Sequence, residues 1–334
     1  MPIRKTESRI PANYQASDFG EVAEAADGRC ALVSFATAPI VATRDNTYVL
    51  FVTDAALAAN AASFEWTFRE NGDVTRVATG VAADIVYRPA TLGSLTATVR
   101  ILNTGNAEQA TLSLEQLVVV PSVELETLIA DAQNKPGPGA SNPEILRELI
   151  NQHCRYYQDV TPRNPESGDA FLRFLFSMAA SGAARYTPVE RREHIARLAS
   201  ALEQQPEDFP RLAAIGVGVA NIRLALLAMV QPETSGGTTP FLPWQELPEA
   251  NPQRAFADEQ LRAKLATLSE DARIDLLNIA RFPKSNLAAC GRILESLRDR
   301  YFAGAKFEDV LTGMSGTRAH WIATHFSEGP IART

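Results

Sequence analysis

The sequence is poor in the residues that build metal and disulfide sites. It contains three cysteines and four histidines among 334 residues. The cysteines lie far apart without the Cys-x-x-Cys spacing of a zinc cluster, and an odd number of thiols leaves at least one unpaired. His320 and His325 are five positions apart, which is not the i, i+4 spacing of two ligands on one helix face. We therefore predict neither a metal nor any other cofactor.

An excess of positive charge and long apolar runs are also lacking. Lys and Arg total 32 against 39 for Asp and Glu, giving a formal net charge of −7, whereas nucleic-acid binders carry a basic face. No run approaches the ~20 apolar residues that span a bilayer, and residues 1–28 contain no signal-peptide core. The sequence predicts no nucleic-acid partner, no membrane span and cytoplasmic synthesis. A role outside the cytoplasm would then require release or delivery by other machinery.

Hydrophobic and polar residues alternate with a period of two between residues 29 and 122. Short β-rich runs are separated by turn sequences such as RDN, ENGD, ATLG and NTGN. Asn71-Gly72 supplies residues that adopt positive φ at low cost. About six or seven strands of this kind predict an antiparallel β-sandwich over residues 29–122. The polar stretch before it, residues 1–28, is predicted to be an irregular arm.

The apolar period changes after a linker. Residues 123–142 end in NKPGPGASN, a run punctuated by Pro and Gly without periodic apolar residues. Helices are predicted beyond it over residues 143–157, 168–182, 187–205, 216–231, 257–267, 269–280, 285–302, 306–313 and 315–326. The sequence therefore predicts a multidomain all-β plus all-α protein, with an all-α domain over residues 143–334.

Aromatic and Thr-rich positions in the β-rich region follow a definite order. Phe64 and Trp66 lie two residues apart in one β-rich run, with Glu65 between them. Tyr87 precedes a turn, and residues 95–99 form the run LTATV. In this order they resemble an immunoglobulin-like (Ig-like) sandwich of the PKD type. The run after Trp66 departs from the Trp-Asp-Phe-Gly-Asp-Gly turn of that family. The resemblance implies a spacer, or an adaptor that docks into a protein assembly.

Four segments of the helical region carry a second pattern. The run FLFSMAASG ends a predicted helix at Ala180-Ser181-Gly182, and GVANI follows at residues 218–222. NLAACG covers residues 286–291, and HFSEGP covers residues 325–330. In this order the segments resemble the lytic-transglycosylase branch of the lysozyme-like superfamily. That branch has Glu-Ser-Gly, Gly-Leu-Met-Gln-Ile, Asn-Ile-x-Ala-Gly and Ala-Tyr-Asn-Ala-Gly-Pro at the corresponding places.

This resemblance implies a peptidoglycan-directed protein that binds glycan strands. The glycine turn at Gly218 would let the backbone approach a sugar closely, and the amide of Asn221 would hydrogen-bond an N-acetyl group. The ring of Phe326 would lie under a sugar ring. The implied binding residues are Ser181, Gly218, Asn221, Phe326 and Ser327, with Trp244 in the loop PFLPWQELPE as a further stacking candidate.

Alanine occupies the position of the family's catalytic glutamate. Cleavage of a glycosidic bond requires a carboxylic acid beside the leaving oxygen, held protonated by an apolar wall and a helix C-terminus. Ala180 has no proton to donate. Three alternatives stay open: a natural non-cleaving relative, a glutamate replaced by alanine at 180, or an acid at Glu190 or Glu193. A function of another class, an inactive adaptor in a contractile injection assembly, also fits the sequence.

Overall fold

The computed structural model shows a chain that is β-rich in its N-terminal part and helical in its C-terminal part. The structure describes residues 10–11, 14–36, 40–120, 171, 174–175, 177–179, 182, 188–204, 215–232, 239–244, 259–312 and 317–328. Strands dominate up to residue 120, and helices dominate from residue 188 onward. The coarse division into a β-rich and a helical part, predicted from the change of period, is confirmed.

Within the described part of the β-rich region, the strands form two sheets. The strands are β1 (Glu21–Glu24), β2 (Cys30–Ser34), β3 (Ile40–Val41), β4 (Asn46–Val52), β5 (Ser63–Glu70), β6 (Asp73–Gly80), β7 (Asp84–Tyr87), β8 (Gly93–Leu102) and β9 (Glu108–Val119). One sheet has the order β1-β2-β4-β7 and the other β3-β9-β8-β5-β6. All neighbours are antiparallel except β3 and β9. Helix α1 (Ala55–Asn60) joins the sheets after an Asp54 N-cap.

A hydrophobic core lies between the two sheets. Trp66 and Phe68 on β5 alternate with exposed or half-buried neighbours, and both point into this core. The rings of Phe68 and Tyr87 stack with centroids 4.0 Å apart. Burying one such side chain contributes about 1.5–3 kcal/mol. The alternation in the sequence therefore identified the core face of β5.

Two strands differ from the prediction. Strand β1 and a 3-10 helix (Ala16–Asp18) lie within residues 1–28, where the sequence predicted an irregular arm. Strand β6 was not predicted. Both strands are largely half-buried or exposed, so neither shows the apolar alternation by which a strand is recognised in a sequence.

The helical region contains a hairpin and several helices among its described residues. The hairpin pairs β10 (Gly216–Val217) with β11 (Ile222–Arg223). The helices are α2 (Pro188–Gln204), α3 (Leu224–Ala228), α4 (Glu259–Thr267), α5 (Glu270–Arg281), α6 (Pro283–Tyr301), α7 (Phe307–Thr312) and α8 (Thr317–Glu328). The single helix predicted over residues 216–231 is therefore wrong: a hairpin precedes the short α3. The helix predicted over residues 143–157 lies outside the described residues.

One hydrophobic core joins the two regions. The ring of Phe282, between α5 and α6, packs against Phe19, Phe35 and Phe51, with centroids 5.2, 4.7 and 5.3 Å away. The outer face of the four-stranded sheet thus packs on the helices. The predicted linker, residues 123–142, lies outside the described residues, and the predicted domain boundaries stay predictions.

Candidate functional site

The candidate site is built around the hairpin β10–β11, which contains the second of the four recognised segments. Gly218 and Asn221 in its turn have φ angles of 74° and 52°. The Asn221 N–H donates to the Gly218 carbonyl at 3.2 Å and closes the turn. Positive φ favours glycine and asparagine at these two positions. The residues from which the sequence predicted a glycine turn therefore form such a turn. It is followed by strand β11, whereas the sequence predicted a helix there.

The third recognised segment is bonded to this hairpin through Asn286. The side chain is fully buried at the start of α6. Its Oδ1 accepts from the Ala220 N–H at 2.9 Å, and its Nδ2 donates to the carbonyls of Val217 and Ala280 at 3.0 and 2.6 Å. A buried amide with its donors and acceptor satisfied fixes the backbone groups that it contacts. Asn286 therefore holds the hairpin against the junction of α5 and α6.

The first recognised segment touches the same hairpin through Gly182. A Cβ added to Gly182 would lie 2.6 Å from the carbonyl carbon and oxygen of Ala220 and 3.0 Å from the Cβ of Asn221. A Cβ on Gly218 would lie 2.2 Å from the carbonyl oxygen of Ala280. Both glycines are required because neighbouring backbone approaches them closely. Ala180 and Ser181, the predicted catalytic position and its neighbour, lie outside the described residues.

The fourth recognised segment contributes to the core. Phe326 on α8 is 5% exposed and belongs to the same hydrophobic cluster as Val217 and Ala220. Its burial accounts for an aromatic residue at this position without a sugar contact. The side chain of Ser327 lies outside the described residues. The structure therefore places Phe326 in the hydrophobic core of the helical region and not on the surface.

The alternative acids lie on the surface of α2. Glu190 and Glu193 are both exposed, whereas the helix itself packs against α5 and β10. A glycosidic acid requires an apolar wall around its carboxyl group. Because neither side chain is enclosed, the described geometry does not favour the hypothesis of an acid at these two positions.

Trp244 is partly enclosed by the helical core. The guanidinium of Arg300 lies 4.3 Å from the centroid of its ring, a cation–π distance. Its indole nitrogen is buried and has no hydrogen-bond partner among the described residues. One face of the ring is therefore occupied by Arg300, which limits the sugar stacking that the sequence suggested.

Sequence reasoning missed a polar network that ties the N-terminal segment to the helices. The Tyr14 hydroxyl contacts the Gln231 side-chain nitrogen and donates to the Pro232 carbonyl at 3.5 Å, while Arg292 Nε donates to Gln231 Oε1 at 3.2 Å. Burial raises the pKa of Tyr14, although Arg292 and Gln231 oppose the shift. Nothing in the polar stretch around Tyr14 signals this contact, because it has no periodic apolar pattern.

No family model, no curated protein and no solved structure matches this chain. In the part that the structure describes, no helix is both long and apolar enough to cross a membrane. No group of three or more His, Cys, Asp or Glu side chains with metal-binding geometry occurs among those same residues. The β-rich region packs on the helical region. The first and third recognised segments contact the hairpin that contains the second.

Proposed function

We propose that this protein binds glycan strands of peptidoglycan at the hairpin β10–β11, on a lysozyme-like helical scaffold that follows a PKD/Ig-like sandwich. One observation carries the proposal: the first, second and third recognised segments meet. Gly182 lies against Ala220, and Asn286 bonds both Val217 and Ala220. Degenerate matches that arose by chance would be expected on unrelated parts of the fold.

The chemistry of the hairpin suits a sugar polymer that carries N-acetyl groups. Its turn combines two positive-φ residues, Gly218 and Asn221. Asn286 hydrogen-bonds the backbone of the hairpin at Val217 and Ala220. Asn221 carries an amide, which can both donate to and accept from an N-acetyl group. A rigid turn of this kind loses little conformational entropy on binding.

Cleavage depends on the residue at position 180, two positions before Gly182 in the sequence. With alanine there, the proposed activity is binding alone. With glutamate there, the carboxyl would protonate the leaving glycosidic oxygen, as in a lysozyme or lytic transglycosylase. The substitution Ala180→Glu therefore separates a binding protein from an inactivated enzyme.

Sedimentation with purified peptidoglycan tests the binding. We expect the chain to pellet with the polymer, and Asn221→Gly to weaken pelleting about 10-fold, the effect of losing ~1.4 kcal/mol of hydrogen bonding. Glycine keeps the positive φ and removes the amide. The matched control is Asn106→Gly, which removes an amide at φ 59° in the β-rich region; it should leave pelleting unchanged.

The same assay distinguishes the alternatives for activity. Soluble muropeptides released only by Ala180→Glu would identify an enzyme inactivated at position 180. Release by the unaltered chain, abolished by Glu190→Gln or Glu193→Gln, would instead identify an acid on α2. Absence of pelleting by the folded chain and by Ala180→Glu would refute the glycan-binding function.

The exposed edge of the five-stranded sheet favours an adaptor as the second candidate function. Among the described residues β6 pairs with β5 alone, and Val74 and Val77 on it are 49% and 59% exposed. An edge strand offers backbone N–H and C=O groups to another chain. We expect Val77→Lys to block such pairing. An adaptor in a contractile injection particle would then fail to co-assemble with the particle, while peptidoglycan pelleting stays unchanged.

A further inference from the structure

We infer that residues 280–286, which we name the α5–α6 turn, couple the β-rich region to the hairpin β10–β11. Packing of the four-stranded sheet would thereby set the geometry of the proposed glycan site. The inference rests on the proposed function only for what the hairpin binds. The coupling itself rests on contacts made by the two sides of this turn.

One side of the α5–α6 turn contacts the hairpin through the first and the last residue of the turn, Ala280 and Asn286. The Ala280 carbonyl lies so close to the Gly218 Cα that a Cβ there would be 2.2 Å away. Asn286, at the other end of the turn, bonds Val217 and Ala220. The hairpin therefore rests on two points of the turn, six residues apart in the sequence.

The other side of the turn contacts the β-rich region through the ring of Phe282 and through Lys284, whose Nζ donates to the Ser17 carbonyl at 2.8 Å. Phe282 is fully buried, and it packs against Phe19, Phe35 and Phe51 with centroid distances of 5.2, 4.7 and 5.3 Å. The guanidinium of Arg281 lies 4.8 Å from the centroid of the same ring. Because the ring is enclosed by aromatic neighbours, its position follows the position of the sheet.

The turn is too strongly bonded internally to absorb a displacement. The Ser285 hydroxyl lies 2.6 Å from the Ile279 carbonyl oxygen and 3.2 Å from the Phe282 carbonyl oxygen. The Asn286 N–H donates to the Phe282 carbonyl at 2.8 Å, and Pro283 fixes φ at the first position of α6. A shift of Phe282 is therefore passed to Asn286 and from there to the hairpin.

Removal of an aromatic ring that packs against Phe282 should therefore affect the hairpin. Removal of a ring from the core between the two sheets should not. Phe51→Leu shortens a side chain against Phe282. Phe64→Leu shortens an equally buried side chain that belongs to the core between the two sheets. Both changes remove the same atoms from a well-packed core. Only Phe51 has a route through the α5–α6 turn to the hairpin.

Hydrogen exchange in the full chain tests the coupling. In Phe51→Leu we expect the Ala220 amide, which donates to Asn286, to exchange about 10-fold faster than in the unaltered chain. In Phe64→Leu it should exchange at the original rate, while the Val99 amide in β8 reports any global loss of stability. Phe282→Leu should accelerate Ala220 exchange, and adding Phe51→Leu to it should cause no further increase.

Equal acceleration at Ala220 in Phe51→Leu and Phe64→Leu, or none in Phe51→Leu, would overturn the coupling. If Phe51→Leu does not fold, Phe35→Leu serves in its place, since Phe35 contacts the same ring and is only half-buried. Pelleting with peptidoglycan is measured on the same samples. If Ala220 exchange is accelerated only in Phe51→Leu but the chain does not pellet with peptidoglycan, the coupling is retained and the glycan-binding function is rejected. If the chain pellets but Ala220 exchange shows no such selectivity, the glycan-binding function is retained and the coupling is rejected.

Discussion

The side-chain amide of Asn286 donates to the carbonyl of Val217 at 3.0 Å, across 69 positions of sequence. The same side chain accepts from the Ala220 N–H, so one residue hydrogen-bonds both the end of β10 and the turn that follows it. Two segments that the sequence could only place in order are thereby joined in space. The stability of this arrangement can be measured directly.

Replacement of Asn286 by alanine should destabilise the protein by roughly 2–3 kcal/mol. It leaves the Ala220 N–H and the carbonyls of Val217 and Ala280 without their buried partner, and an unsatisfied buried group costs about 1–3 kcal/mol. Urea unfolding measures the loss. Asn60→Ala, at an exposed position at the end of α1, should change stability by less than ~0.5 kcal/mol. Similar losses in the two variants would contradict the role assigned to Asn286.

Alanine at Gly218 should destabilise the protein more than alanine at Gly304. The two glycines have φ angles of 74° and 77°, so both substitutions carry the left-handed penalty of about 1–2 kcal/mol. Only at Gly218 does the new Cβ also meet backbone, since nothing lies within 4 Å of a Cβ at Gly304. Thermal unfolding of the two variants isolates the effect of close packing. Equal shifts in Tm would show that the hairpin does not press against Ala280.

Glu70 should make stability depend on pH. It is buried at the end of β5, where it accepts hydrogen bonds from the side chains of Thr91 and Tyr87 and from the N–H groups of Ala90 and Thr91. Burial alone would raise the pKa of Glu70, but these bonds outweigh it and hold the pKa below the ordinary value of 4.5. The contribution of Glu70 is therefore present above that value and lost as pH falls through the folded pKa.

Urea unfolding of Glu70→Gln and the unaltered chain, from about pH 7 to about pH 3, measures this contribution. The free energies of unfolding should differ by roughly 1–3 kcal/mol at neutral pH and converge in acid. The control is Glu115→Gln, on an exposed position of β9. A difference for Glu70→Gln that stays constant with pH would rule out the charged, hydrogen-bonded carboxylate.

Removal of the Tyr48 hydroxyl should destabilise the sandwich by about 1–2 kcal/mol. Tyr48 is fully buried and donates to Gln116 Oε1 at 2.8 Å, and Tyr48→Phe leaves that oxygen without this donor. Because burial raises the pKa of Tyr48, the hydroxyl stays protonated and the loss should not vary near neutral pH. Thr98→Ala breaks the exposed bond to Ser113 and should lose less than ~0.5 kcal/mol, as denaturant unfolding would show.

The elements best predicted from the sequence have either a clear period or a capping residue. Strand β5 was recognisable because Trp66 and Phe68 alternate with polar residues. The helices predicted over residues 269–280 and 285–302 correspond to α5, which Ser269 caps, and to α6, which begins two residues earlier than predicted, at Pro283. Local signals of this kind act within a few residues and need no tertiary contact.

The hairpin β10–β11 lacked such a signal. The run from residue 217 to residue 230 is almost wholly apolar, and α3 within it is buried on every side, so neither a period of two nor one of 3.6 stands out. The order of the recognised segments could be read from the sequence. Their meeting at Ala220 could not, because it depends on the packing of Gly182 and Asn286, which are far from the hairpin in sequence.

The ring cluster around Phe282 has a consequence for biosynthesis. Phe19 and the sheet that carries Phe51 leave the ribosome long before Phe282 does, so the helix-facing side of the sheet stays uncovered while most of the chain is still being translated. Contacts between such distant positions also form slowly once the chain is free. A nascent chain of this protein therefore presents an apolar sheet face to the cell for most of its synthesis, which is the kind of surface that chaperones bind.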